Sequence, residues 1–99
     1  MKITKKQDGS SMTVALSGRL DTATASMLSD ALKGIESELT DLTFDFEKLD
    51  YISSAGLREL LKIKQSMKYG GTVKVANANE IVREVFRVTG FEEVVPMAN

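Results

Sequence analysis

Two adjacent serines, Ser53 and Ser54, lie between a predicted strand and a predicted helix. A hydroxyl at a helix start faces the unpaired first-turn amides and the positive end of the helix dipole, which would also stabilise a phosphate ester. Arg58, one turn beyond Ser54, is placed to meet such a phosphate. We interpret Gly56, in the first helical turn, as a point where another protein's backbone approaches closely. The pair predicts a helix cap, its commoner role, or a phosphorylation site, and the two roles are compatible.

Histidine and cysteine are absent from this sequence, so an enzyme would have to use carboxylates, lysines or tyrosines. The chain has no histidine, so a Ser-His-Asp triad cannot be assembled. It also has no cysteine, which excludes a disulfide, a zinc-thiolate site and a redox centre. Asp45 and Glu47 flank Phe46, but strand alternation predicts both carboxylates on a solvated face. We therefore expect no enzyme activity, no metal site and no cofactor.

The charge balance also limits the classes of partner. The 13 basic and 14 acidic side chains leave a net charge of −1, whereas nucleic-acid-binding proteins usually carry a basic surplus. No apolar run approaches the ~18 residues that a bilayer span needs, and no signal-peptide pattern follows the N-terminal lysines. We expect a cytoplasmic protein without a nucleic-acid or membrane partner. Lys62, Lys64 and Lys68 predict a solvated basic stripe, with contact to an acidic partner as the alternative.

Hydrophobic spacing predicts the elements that position these residues. Period-two alternation indicates strands, and steps of three and four residues indicate helices. The pair Asp8-Gly9 suits a hairpin turn, and Asp21 or Thr22 is placed to cap the first helix, after a loop over 18–22. The predicted order is strand 2–6, strand 12–17, helix 23–39, strand 42–46, helix from about 55 to the stop at 70–71, strand 72–76, helix from 77–79 to 90, and a short last strand at 94–95.

This order predicts one α/β domain over residues 1–99, with helices packed on a largely parallel sheet. The opening hairpin makes the sheet mixed. From the order of elements we expect four to five strands and about three to four helices. The predicted sheet core consists of Val14, Leu16, Phe44, Phe46, Val73 and Val75. The predicted apolar face of the last helix consists of Ile81, Val82, Val85, Phe86 and Val88.

The element order and the run 50–57, DYISSAGL, resemble the STAS domain, which is named for sulfate transporters and anti-sigma factor antagonists. Three further segments agree: 16–21 in the early strand and loop, 70–71 before the fourth strand, and 86–91 near the C-terminus. The resemblance covers essentially the whole chain. It implies a stand-alone STAS domain of the antagonist type.

The resemblance also implies roles for single residues. In antagonists of this family the helix-start motif is typically Asp-Ser-Ser/Thr/Ala-Gly-Leu, and its first serine accepts the phosphate. Matching Gly-Leu to Gly56-Leu57 places the acceptor at Ser54 and the family aspartate at Ser53, which makes Ser53 a second candidate acceptor. Asp21 matches a family aspartate at the partner-binding edge. The implied partner-binding residues are Asp21, Ser53, Ser54, Gly56 and Arg58.

The function that the resemblance implies is partner switching. The unphosphorylated antagonist binds an anti-sigma factor and so frees a sigma factor for transcription. The anti-sigma factor is a GHKL-type serine kinase whose phosphorylation of the antagonist releases it, and a PP2C-type phosphatase reverses the step. The ATP and magnesium belong to the kinase. An alternative is a STAS subunit of a lipid-transport or stressosome-like complex.

Overall fold

The computed structural model describes residues 1–68 and 70–98. Within them, four strands form one mixed sheet in the order β1-β2-β3-β4. Strand β1 (Lys2–Asp8) pairs antiparallel with β2 (Ser11–Leu20) across a tight turn at 9–10. Strands β3 (Asp41–Ile52) and β4 (Thr72–Ala76) extend the sheet in parallel. The predicted mixed α/β architecture is confirmed.

Three α-helices lie within the described residues, in the predicted order: α1 (Thr22–Leu32), α2 (Ser54–Ser66) and α3 (Glu80–Thr89). The predicted extension of the first helix to residue 39 is wrong. Gly34, at φ +82°, turns the chain, and a 3-10 helix at Glu36–Glu38 follows. Leu39 is nevertheless fully buried, so its apolar spacing comes from core packing and not from a continuous helix.

The prediction of a last strand at 94–95 is also wrong. Gly90 caps α3 in the left-handed conformation, and a 3-10 helix at Phe91–Glu93 follows it. Val95 is fully buried and packs in the core instead of extending the sheet. A single parallel bridge joins Val75 to Met97, so the C-terminal segment lies against the edge of β4 without forming a fifth strand. Helix α2 likewise ends at Ser66, before the predicted stop at 70–71.

The core lies on one face of the sheet, beneath the helices. The six predicted core residues are all at most 2% exposed, which confirms that part of the prediction. Their strand neighbours, such as Thr13, Thr43 and Lys74, are not buried, so the opposite face of the sheet stays open. On α3 the prediction is partly wrong, because Ile81 and Val88 are 59% and 72% exposed whereas Val82 and Phe86 are buried.

Truncating Phe44 tests the one-sided core. Its ring is fully buried in the central strand and packs 6.1 Å from the ring of Phe46, centroid to centroid. Phe44→Ala is expected to lower the free energy of unfolding by about 3–5 kcal/mol. Thr43→Ala, one residue away on the open face, is the control and should change it by about 1 kcal/mol or less, because it removes a half-buried side chain of high strand propensity. Equal urea midpoints for the two variants would contradict the assignment of the faces.

Candidate functional site

The starts of all three helices meet at one edge of the sheet. The carboxyl ends of parallel strands share an edge, and each helix here begins within a few residues of such an end. Helix α1 follows β2 after one residue, α2 follows β3 after one residue, and α3 follows β4 after three. This edge therefore collects Asp21, Ser53, Ser54 and Asn79, which are otherwise far apart in the sequence.

Hydrogen bonds fix two of these starts to a neighbouring strand. The Ser53 amide donates to the Leu20 carbonyl at 2.9 Å, which ties the start of α2 to the end of β2. The Asn79 side chain caps α3 by accepting from the Val82 amide at 2.8 Å, and its Nδ2 donates to the Leu49 carbonyl at 3.1 Å. These contacts hold the starts of α2 and α3 against β2 and β3.

Two irregularities in the β2–β3 pairing shape the edge. Ala15 pairs with Asp45 and Ser17 pairs with Lys48, so β3 advances three residues while β2 advances two. Gly18 then pairs with Leu49 and Arg19 with Tyr51, so β3 again carries one extra residue. Such bulges bend a strand and re-aim its side chains. Here the second one sets Arg19 opposite Tyr51, with the guanidinium carbon 4.5 Å from the ring centroid, a cation–π contact. The predicted loop at 18–22 is thus strand as far as Leu20.

Asp21 caps helix α1, as one of the two sequence alternatives predicts. Its Oδ1 accepts from the amides of Ala23 and Thr24, both at 3.1 Å. The Thr24 hydroxyl in turn accepts from the Asp21 amide at 2.9 Å, which completes a capping box. The Thr24 amide is the largest influence that lowers the pKa of Asp21. The Thr24 hydroxyl, the Ala23 amide and the charge of Arg19 lower this pKa further.

The two serines have different environments. Ser53 is the N-cap of α2: it is half-buried, and its Oγ accepts from the Gly56 amide at 3.3 Å. Ser54 is the first helical residue and is exposed, and its hydroxyl has no hydrogen-bond partner within residues 1–68 and 70–98. The helix starts one residue earlier than predicted. Ser53 therefore caps the helix, and the Ser54 hydroxyl stays accessible.

The start of α2 carries no negative charge, in contrast to that of α1. Neither Ser53 nor the first turn of α2 has an acidic side chain, whereas α1 is capped by the Asp21 carboxylate. Arg58 is exposed one turn further along α2, and no ion pair of its guanidinium occurs in the part of the chain that is described. The surface beside Ser54 is thus electrostatically suited to an added negative charge.

Gly56 packs closely against the ends of β2 and β3. The residue is buried, and a Cβ added to it would lie 2.8 Å from Ile52 Cγ1, 2.9 Å from Leu20 Cγ and 2.9 Å from the Leu20 carbonyl oxygen. Real Cβ contacts are essentially never that short. The missing side chain therefore makes room for Leu20 and Ile52 of the same chain, and the close approach of a partner's backbone stays a prediction.

The other charged residues show no built site. Lys62 lies 3.7 Å from the Glu59 carboxylate and is largely exposed, as expected of a solvated stripe. Across the described ranges, no group of three or more metal-ligating side chains could hold an ion. The helices in those ranges are all too short or too polar to cross a membrane. The strongest candidate site is therefore the edge around Ser54.

Comparison with known proteins identifies the family. The STAS domain model matches residues 2–99. The chain belongs to the STAS domain family. One STAS relative, BtrV of Bordetella bronchiseptica, is named as a candidate anti-sigma factor antagonist and is 34% identical over 100% of this chain and 87% of its own.

Solved STAS structures share the fold. The crystal structure of an anti-sigma factor antagonist from Mycobacterium paratuberculosis has a TM-score of 0.86, with 20% identity over 97% of this chain and 83% of that one. The antagonist SpoIIAA of Bacillus matches in its unphosphorylated form, with a TM-score of 0.76 and 17% identity over 99% and 88% of the chains. Its phosphorylated form matches with a TM-score of 0.74 and 18% identity over 99% and 92%.

Sequence reasoning missed the bulges that build this STAS edge, although a signal for them exists. The buried residues of β3 are Leu42, Phe44, Phe46, Leu49 and Ile52. Their spacing changes from two residues to three after Phe46, and each step of three corresponds to one register shift. The hydrogen bond between the Ser53 amide and the Leu20 carbonyl has no comparable sequence signal, because both groups belong to the backbone.

The cap at Asp21 predicts a pH-dependent stability. A carboxyl group with a lowered pKa stabilises the fold above its ordinary pKa of 3.8, and this contribution is lost as the pH falls through the lowered value. Asp21→Asn keeps an acceptor oxygen but removes the charge. Its unfolding free energy should therefore lie below that of the wild type at neutral pH and converge with it under acid.

Urea titrations over the acid range test this expectation, with Asp50→Asn as the control. Asp50 is exposed at the same edge, and the helices α1, α2 and α3 are capped by other side chains. A wild-type advantage over Asp21→Asn that does not change with pH would contradict the charged cap.

Proposed function

We propose that this protein is an anti-sigma factor antagonist controlled by phosphorylation of Ser54. Unphosphorylated, it binds an anti-sigma factor through the edge around Ser54 and Asp21, and so regulates sigma-factor-dependent transcription in the cytoplasm. The observation that carries the proposal is the exposed Ser54 hydroxyl at the uncharged start of α2. The likeness to BtrV, which covers the whole chain, supports the same function.

The proposed partners follow from this function. The anti-sigma factor is a GHKL-type serine kinase that phosphorylates the antagonist, and a PP2C-type phosphatase removes the phosphate. The kinase brings the ATP and magnesium, so the antagonist needs no cofactor and performs no catalysis. Its own contribution is an accessible acceptor hydroxyl on a surface that the kinase also uses for binding.

Ser54 is a better acceptor than Ser53 on physical grounds. An acceptor hydroxyl has to enter the kinase site, and that of Ser54 is exposed and unbonded within the described residues. The Ser53 hydroxyl would have to give up its bond to the Gly56 amide, and the residue is half-buried. A phosphate on Ser54 would also lie close to the first-turn amides of α2 and one turn from Arg58.

The charge of a phosphate is large enough to drive release. Phosphorylation adds about 1.5–2 negative charges. One partner carboxylate ~5 Å away would repel each unit of charge by about 3 kcal/mol at an effective dielectric constant of ~20. That energy corresponds to a loss of affinity of ~100-fold per contact, before any steric clash. A few such contacts suffice for a nearly complete switch.

Release does not require the domain to refold. SpoIIAA has been solved in unphosphorylated and phosphorylated forms, and both resemble this structure to a similar degree, with TM-scores of 0.76 and 0.74. In this chain the Ser54 side chain is exposed at the start of α2, so a phosphate can be added there without displacing a core residue. We therefore propose that the switch acts at the interface, by charge and shape.

The alternative of a STAS subunit in a transport or stressosome-like complex is not favoured. Solved STAS domains do include that of a SulP transporter from Vibrio cholerae, but its TM-score is 0.62 against 0.86 for the mycobacterial antagonist. At such low identities these likenesses show the fold alone. BtrV, which is 34% identical over the whole of this chain, is named as an antagonist and not as a transporter.

Phosphorylation by the native kinase tests the proposal. The kinase is recovered by pull-down from the native cell extract, identified by mass spectrometry and purified. With ATP it should phosphorylate the wild-type protein on Ser54, located by peptide mapping, and should leave Ser54→Ala unmodified. Ser53→Ala is the matched control, which loses the cap and about 1 kcal/mol of stability but keeps the acceptor.

Two outcomes would contradict the proposal. Phosphate found mainly on Ser53, or retained in Ser54→Ala, would show that the acceptor is wrongly assigned. Recovery of transporter or scaffold subunits in place of a serine kinase would support the alternative function.

A further inference from the structure

We propose that the contact between Gly56 and Leu20 is a positioning device, which holds Ser54 at a fixed place relative to Asp21. This inference rests on the proposed function, since it assumes that a partner recognises both residues together. Leu20 is fully buried at the end of β2 and immediately precedes Asp21, the cap of α1. Gly56 lies two residues after Ser54, in the same turn of α2.

The contact joins the two halves of the site at close range. The Leu20 carbonyl oxygen accepts from the Ser53 amide at 2.9 Å, and the same oxygen would lie 2.9 Å from a Cβ on residue 56. The first turn of α2 therefore rests directly on the backbone of β2. One residue further along, the capping box begins α1. Leu20 thus positions both helix starts. It directly precedes the cap of α1 in sequence, and it contacts the first turn of α2.

A methyl group at position 56 would force these parts apart. Two of its three short contacts are to Leu20, to the backbone oxygen and to the branched Cγ, and neither is the far end of a flexible chain. The third is to Ile52 Cγ1 at 2.8 Å. Alanine is a better helix former than glycine, so the helix itself should persist. The expected result is a folded protein in which the start of α2, with Ser54, is displaced from Asp21.

Gly71 offers a matched control for the same substitution. A Cβ there would lie 2.8 Å from the Lys68 carbonyl oxygen, as tight as any contact at Gly56. Gly71 directly precedes β4, whose start lies at the opposite edge of the sheet from Ser54. Neither glycine has a positive φ, so both variants test packing and not backbone strain. Gly71→Ala should perturb the fold locally without moving the site.

The test compares Gly56→Ala with Gly71→Ala by two measurements. The first needs no partner: hydrogen exchange of the Ser53 amide, read by NMR, should accelerate in Gly56→Ala and stay unchanged in Gly71→Ala. The second is phosphorylation by the purified native kinase. Because a displacement of ~1 Å can reduce a rate by ~100-fold, kcat/KM should fall by at least about tenfold in Gly56→Ala. In Gly71→Ala it should stay within about twofold of the wild type.

Each outcome decides one question. If Gly56→Ala is folded by circular dichroism and is phosphorylated like the wild type, the positioning role is overturned. If the wild type is not phosphorylated, the proposed function fails, and an unchanged Ser53 exchange rate would still overturn the positioning role. If Gly56→Ala does not fold, Leu20→Ala/Gly56→Ala replaces it, because the Leu20 Cγ is then gone. Slower phosphorylation of this double variant than of Leu20→Ala supports the inference, and equal rates overturn it.

Discussion

The parallel pairing of β2, β3 and β4 is the constraint on which the site depends. A chain that forms parallel neighbours must return to the same end of the sheet each time, and here it does so through helices. Each return brings the next helix start to the carboxyl edge of the strands. Asp21 and Ser54 are 33 positions apart in sequence, yet both begin helices at this one edge. The buried face of β3 supports the pairing, because Phe44 lies in register between Val14 of β2 and Val75 of β4, and all three are fully buried.

The two adjacent helix starts differ in charge, and this difference gives the edge its proposed use. Asp21 supplies α1 with a carboxylate, which occupies two first-turn amides. Ser53 supplies α2 with a neutral hydroxyl, which occupies one. Position 54 therefore stands at a helix start whose dipole is not compensated by an acidic group. A phosphate there would supply the missing negative charge to its own helix while it repels an acidic partner surface.

The sequence predicted the sheet and its buried face because alternation directly reports which side of a strand is covered. Residues 42–46 alternate without a break, and Leu42, Phe44 and Phe46 are all buried. Element ends were predicted less well. Leu39 and Ile81 continue a helical spacing, but the first is buried from an extended segment and the second is exposed. Apolar spacing indicates which face of an element is apolar. It does not show which residues near its ends are buried or where the chain turns.

The sequence predicted which residues form the candidate site better than it predicted their contacts. The Ser-Ser pair before an apolar helix marked the site, and the division of roles between the two serines depended on a one-residue shift of the helix start, which sequence patterns do not resolve. The packing role of Gly56 was not predicted, because a glycine in a first turn looks the same in sequence whether a partner or the chain's own β2 approaches it. That distinction is a tertiary contact, with Leu20, 36 positions away.

We expect that a phosphate on Ser54 weakens partner binding without changing the fold. Isothermal titration calorimetry of the purified anti-sigma factor against the fully phosphorylated and the unphosphorylated protein tests it most directly. We expect the phosphorylated form to bind at least ~100-fold more weakly, with the difference shrinking at high salt and the far-UV circular dichroism unchanged. Equal affinities at low salt, where charge repulsion is least screened, would contradict the account.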